Sequence, residues 1–157
     1  MSLNAFRDQY VWVEKVNTLL ELNLEGIMEV FLKNCEDIGF TVNSAVKLLK
    51  GIGCLLSHRI IRMQFDLAQM TVIDESVNSA EYEDMEFVEF LEFLVRLAFN
   101  IYIAEEQRSI TSKLSELLNE MLASVGFTFI EAPRNKGFQT QASEEDMMSL
   151  HKYINKQ

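Results

Sequence analysis

Proline is nearly absent: Pro133 is the only one in 157 residues, so nothing before it forbids a long helix through its backbone chemistry. Basic residues are also scarce, 14 against 24 acids, for a formal net charge of -10. Nucleic-acid binding needs a basic footprint, and docking on anionic lipid needs a basic surface, so this balance argues against both. Histidine is limited to His58 and His151, far apart and in no metal-ligand spacing. Cysteine is limited to Cys35 and Cys54, with no paired Cys/His pattern, which argues against zinc. Buried free thiols in a reducing compartment fit their apolar surroundings, and a disulfide between the two stays open at this level. No apolar run reaches membrane-spanning length, and Met1-Ser2-Leu3-Asn4 has no signal-peptide pattern. These features imply an intracellular, cytoplasmic protein without a membrane span.

What the chain does have is Phe and Met, eleven and eight of them, in a composition that is 48% hydrophobic. A chain of this length buries roughly two thirds of its unfolded surface and needs no covalent staple. The pattern is all-α. Phe6, Tyr10, Val11 and Val13 open a first helix that fades near Asn17-Thr18. Leu22 to Glu36 reads as a second, with Ile27, Met28, Phe31 and Leu32 on one face. Gly39 stops it, and Thr41 caps a third helix through Lys50. After Gly51 and Gly53, Ser57 caps a fourth helix to about Met70. Thr71 to Asp84 is an acidic connector. Glu86 to Ala104 is a fifth helix, and Ser109 or Ser112 begins a sixth that runs to Ala123.

Three units follow from this pattern. Residues 1–125 form a helical domain. Residues 126–142 combine an extended segment, Phe127-Thr128-Phe129-Ile130, with a polar linker from Pro133 to Gln141. Residues 143–157 form a C-terminal amphipathic helix opened by Ser143-Glu144-Glu145-Asp146, with Met147, Met148, Leu150 and Ile154 as its stripe.

Two segments align without a gap: Leu22 to Lys33 lies over Met85 to Arg96, with apolar residues matched at most positions and a base closing each. The second copy, Met85-Glu86-Phe87-Val88-Glu89-Phe90-Leu91, resembles the end of an EF-hand loop and the start of its exiting helix. In that resemblance Met85 takes the short strand contact with a paired loop, Glu89 the acidic position and Phe90 the exiting-helix aromatic. Leu56, Ile60, Ile61 and Phe65 take the entering helix, and the likeness covers about Phe6 to Tyr102. It implies a calmodulin-like pair of helix-loop-helix units. The segment Met85 to Tyr102 also looks like degenerate EF-hand-like modules of ciliary and cytoskeletal proteins in protists.

The departures from that family are specific. A calcium loop carries oxygen ligands at its first, third and fifth positions, Gly at the sixth and a bidentate Glu at the twelfth. Counted back from Glu89, these places hold Asn78, Ala80, Tyr82 and Glu83. With Leu22 in the strand position, the first loop would begin at Lys15 and end at Gly26. The scaffold is thus implied without its metal, and no cofactor is expected.

The resemblance implies a calcium-independent protein–protein interaction module, a scaffold or a cytoskeletal or ciliary component. Its lobe would bind an amphipathic helix or cytoskeletal element through Ile27, Met28, Phe31, Met63, Phe90, Leu94 and Leu97. The plainer reading of those residues is a closed core. Within the fifth helix, Phe87, Phe90, Leu94 and Leu97 are expected to face the core, and Glu89 and Glu92 solvent. The alternative function is a calcium sensor with a non-standard site in the acidic segment 74–92, which the helix dipole would otherwise explain as a solvated N-terminus. An enzyme has no constellation behind it: Cys54 and His58 are four apart, but Gly53 interrupts the helix that would align them, and no orienting acid is evident.

Overall fold

The computed structural model describes residues 2–69 and 84–133, and among these the fold is all-α, without a strand or sheet. The expected connector from Thr71, the loop positions Asn78 to Glu83, the linker beyond Pro133 and the expected helix from Ser143 lie outside the described residues.

A short helix α1 (Leu3–Phe6), capped by the Ser2 hydroxyl accepting from the Ala5 amide, passes directly into a π-helical turn, Arg7–Val11. Helix α2 (Glu14–Leu22) follows, then α3 (Leu24–Asn34), α4 (Val42–Gly51), α5 (His58–Gln69), α6 (Phe87–Ile101) and α7 (Ile110–Ala123). The stretch expected to fade at Asn17-Thr18 is instead the middle of α2, because Val16, Leu19 and Leu20 supply a buried stripe that outweighs the weak helix propensity of Asn and Thr.

One residue, Asn23, separates α2 from α3. Its side-chain amide donates to the Leu19 carbonyl at 2.9 Å, closing α2, and to the Ile130 carbonyl at 2.9 Å. Its side-chain oxygen accepts from the Ile130 amide at 2.8 Å. An asparagine side chain thereby stands in for a strand neighbour, and it straps the segment after α7 across the α2–α3 junction. Phe127 and Phe129 turn inward while Thr128 and Ile130 turn outward, the period-two alternation of an extended chain. Gly126, at φ +80, makes the turn into this strap. Beneath it α3 approaches α7 so closely that a Cβ on Gly26 would lie 2.4 Å from Leu122 Cδ2 and 3.2 Å from the Phe127 ring.

Two helix pairs occupy the middle of the chain, α3–α4 and α5–α6. They meet at an isolated antiparallel bridge in which the Met85 amide donates to the Phe40 carbonyl at 2.7 Å. Each bridge residue is followed by a matching helix start. The Thr41 hydroxyl accepts from the Ser44 amide while the Thr41 amide donates to the Ser44 hydroxyl, and Glu86 caps α6 with its own amide donating to the Glu89 carboxylate. The internal repeat read from sequence therefore has the wrong register. Leu22 closes α2 and takes no part in the bridge, and the counterpart of Met85 is Phe40. The aligned segments share a helical period, but α3 precedes its bridge residue Phe40 whereas α6 follows Met85, and periodicity carries no information about that order.

Candidate partner-binding lobe

The bridge holds a cluster of phenylalanines together. Phe40, fully buried, lies 5.2 Å from Phe31 in a stacked arrangement and 4.8 Å from Phe90 edge-on. Phe31 also meets Phe87 at 5.4 Å and Phe90 at 5.2 Å, while Phe65 joins Phe93 at 5.6 Å. Such offset and edge-on pairs add about 0.5–1.5 kcal/mol each beyond their burial. The α3, α4, α5 and α6 helices are thus pinned at one end by backbone pairing and below it by ring packing.

Of the residues expected to line the groove, Ile27, Phe90, Leu94 and Leu97 are sealed in the core. Phe31 is half-buried at the edge of the aromatic cluster, and Met28 and Met63 are exposed, one on α3 and the other on α5. The lobe is closed in this structure: a helix could touch Ile27, Phe90, Leu94 and Leu97 only after α3 and α6 separated. Phe87 is half-buried beside Phe31, so the inward face of α6 agrees with expectation.

The outward face does not. Glu92, expected in solvent, is held between two arginines. Arg7 Nε donates to its Oε1 at 2.7 Å and Arg96 Nε to its Oε2 at 2.9 Å, with the carboxylate side chain only 11% exposed. The π-helical turn brings Arg7 over α6, and Phe6 places its ring 4.3 Å from the Arg96 guanidinium. Phe6, Tyr10 and Phe99 close a second aromatic cluster around the pair, with centroids 5.0–5.3 Å apart. Burial pulls the Arg96 guanidinium below its usual range, and the bond to Glu92 partly restores it. Two signals for this triad were present in the sequence: Glu92 and Arg96 are four apart on one helix, and Arg7 follows an aromatic.

Among the described residues little is offered to a cation. Between α3 and α4, over residues 35–41, the Glu36 carboxylate accepts from the Thr41 hydroxyl. Burial pushes the Cys35 thiol up, and the nearby Asp84 carboxylate adds to the shift. Glu89 is half-buried at the start of α6. Its carboxyl is raised by that burial and by Glu86, Asp84 and Glu92, against the bond from the Glu86 amide. Among the described residues no group of three or more His, Cys, Asp or Glu could hold a metal ion. Cys35 and Cys54 are free and half-buried. Cys54 sits in the loop after α4, and His58 is the exposed first residue of α5, so no helix face is shared between them.

No described helix is long and apolar enough to cross a membrane. Neither family models, curated proteins nor solved structures yield a match to this chain.

Proposed function

We propose that the chain is a calcium-independent protein–protein interaction module built on an EF-hand-like pair of helix-loop-helix units. The observation that carries the reading is the Phe40–Met85 bridge with a reciprocal helix cap at the same offset on both sides, Thr41 with Ser44 and Glu86 with Glu89. Calcium independence is supported by chemistry at these same places. Counted with Phe40 in the strand position, Lys33 and Cys35 fall at the first and third places, where an ion needs hard oxygens, and Glu89 already accepts from the Glu86 amide.

The partner would be an amphipathic helix or a cytoskeletal or ciliary element, the setting implied by the resemblance of Met85–Tyr102. Met28 on α3 and Met63 on α5 are exposed and would give it adaptable apolar first contacts. The test is affinity purification from the native organism in calcium and in chelator, comparing the natural chain with a Met28→Asp/Met63→Asp variant. A partner retained in chelator and lost with the variant is expected. A partner captured only in calcium, or held equally by both chains, would contradict the reading.

A further inference from the structure

The bridge and the α4–α5 loop are opposite ends of one unit. Helix α4 leaves the bridge at Thr41 and ends at Gly51. Helix α5 starts at His58 and returns to the bridge, where Gln69 Nε2 donates to the Asp84 carbonyl at 2.9 Å. Ten residues of α4 separate the two ends by about 15 Å.

Their charges are opposite. Between Asp37 and Asp66 the sequence has no carboxylate, although the chain as a whole carries -10. The charges in that stretch are Lys47, Lys50, Arg59 and Arg62, all exposed, two on each helix flanking the loop. Arg62 makes one exposed pair with Asp66 at 3.6 Å, and the other three have no ion-pair partner among the described residues. At the loop's tip Leu55 is 98% exposed. The turn beneath it is fixed: Gly53, at φ +76, allows the Cys54 amide to reach back to the Leu49 carbonyl at 2.9 Å. The bridge end is the converse, with Glu36, Asp37, Asp84 and Glu86 exposed around Ile38 and Val88, which are 66% and 67% exposed.

We infer that this chain associates with a second copy of itself head to tail, the Leu55 end of one protomer docking on the Ile38–Val88 end of the next. The inference does not rest on the proposed function, since it uses the ends of the unit and leaves the lobe closed. Each end supplies what the other lacks: an exposed leucine on the loop between two helices that carry exposed cations, and exposed aliphatics on the segments that carry exposed carboxylates. Exposed ion pairs alone are weak, so the buried leucine is what makes the contact specific, and the charges select its partner. Because the two surfaces differ, the interface is heterologous and repeats along an open chain unless its rotation closes a ring.

Sedimentation of the full chain from micromolar to millimolar concentration tests this. In low salt the average mass should rise above one protomer with concentration, and high salt should reverse it. Lys50→Glu/Arg59→Glu and Asp37→Lys/Asp84→Lys, each checked for native helicity, should stay monomeric alone and associate when mixed. Leu55→Ser should weaken assembly at unchanged charge. A chain that stays monomeric throughout in low salt overturns the inference. So does self-association that either charge reversal leaves intact. Binding of the monomer to phosphatidylserine vesicles through Lys50 and Arg59, without self-association, would assign the basic end to a lipid surface instead.

Discussion

Asn23 and Ile130 are joined by two hydrogen bonds, of 2.8 and 2.9 Å, between a side-chain amide and a peptide backbone 107 residues away. The contact fastens the segment after α7 to the α2–α3 junction and closes the fold at its far end. Asn23→Ala removes both bonds and the cap on α2, and should destabilise the chain by about 1–3 kcal/mol. Amide exchange at Ile130 should accelerate more than at core positions of α6. Uniform acceleration would show that Asn23 supports the whole fold and not the strap.

Gly26 gives a second prediction. Alanine favours a helix over glycine by up to about 1 kcal/mol, but its Cβ would overlap Leu122, and overpacking costs about 1–3 kcal/mol. Gly26→Ala should therefore lower the melting temperature. Shortening the neighbour, as Leu122→Val, should cost less in the Gly26→Ala background than alone, a coupling that a double-mutant cycle reads directly. Strict additivity would mean the two helices separate to make room.

The sequence made some of this visible. Thr41, Ser57 and Ser109 begin α4, α5 and α7 where their capping chemistry places them, and each accepts from an amide three residues on. Phe90, Leu94 and Leu97 are core because their spacing is helical. The apolar period points to Leu22 in place of Phe40 as the bridge partner because every amphipathic helix shares that period. The distinguishing feature is a bridge residue followed by a capping pair, and Phe40-Thr41-x-x-Ser44 carries it as clearly as Met85-Glu86-x-x-Glu89. Glu92 is withdrawn from solvent because the N-terminal π-turn brings Arg7 onto it, a contact that helix periodicity does not encode. Asn23 pairs with a residue at the other end of the described chain, and local sequence gives no sign of such a contact.

Glu92 should be the most sensitive charged position. Removing one member of a buried pair leaves its partner desolvated, which costs about 3–5 kcal/mol. Glu92→Ala should approach that figure by denaturant unfolding. Arg62→Ala, which breaks the exposed pair with Asp66, should cost less than about 1 kcal/mol. Equal effects would mean that Glu92 is hydrated.

Glu89 sets a pH dependence of definite sign. Its folded-state carboxyl is raised, first by burial and then by neighbouring carboxylates. A raised acid contributes stability when protonated, below its unfolded value near about 4.3, and loses that contribution as pH rises through the folded value. Glutamine keeps the oxygen that accepts from the Glu86 amide without the charge. Glu89→Gln should therefore melt at a higher temperature than the natural chain at pH 7, with the difference closing in acid. A lower melting temperature at neutral pH would show that the charge on the helix N-terminus outweighs the burial.

The central claim is a paired helix-loop-helix scaffold that works without calcium, and thermal unfolding in millimolar calcium against chelator tests it most directly. Lys33 and Cys35 fall at two places that need oxygen ligands, and Glu89 already accepts from the Glu86 amide. The account predicts superimposable melting curves and no heat on calorimetric titration. A calcium-dependent rise of several degrees, with saturable binding heat, would contradict it and make the chain a sensor with a site in the acidic segment 74–92.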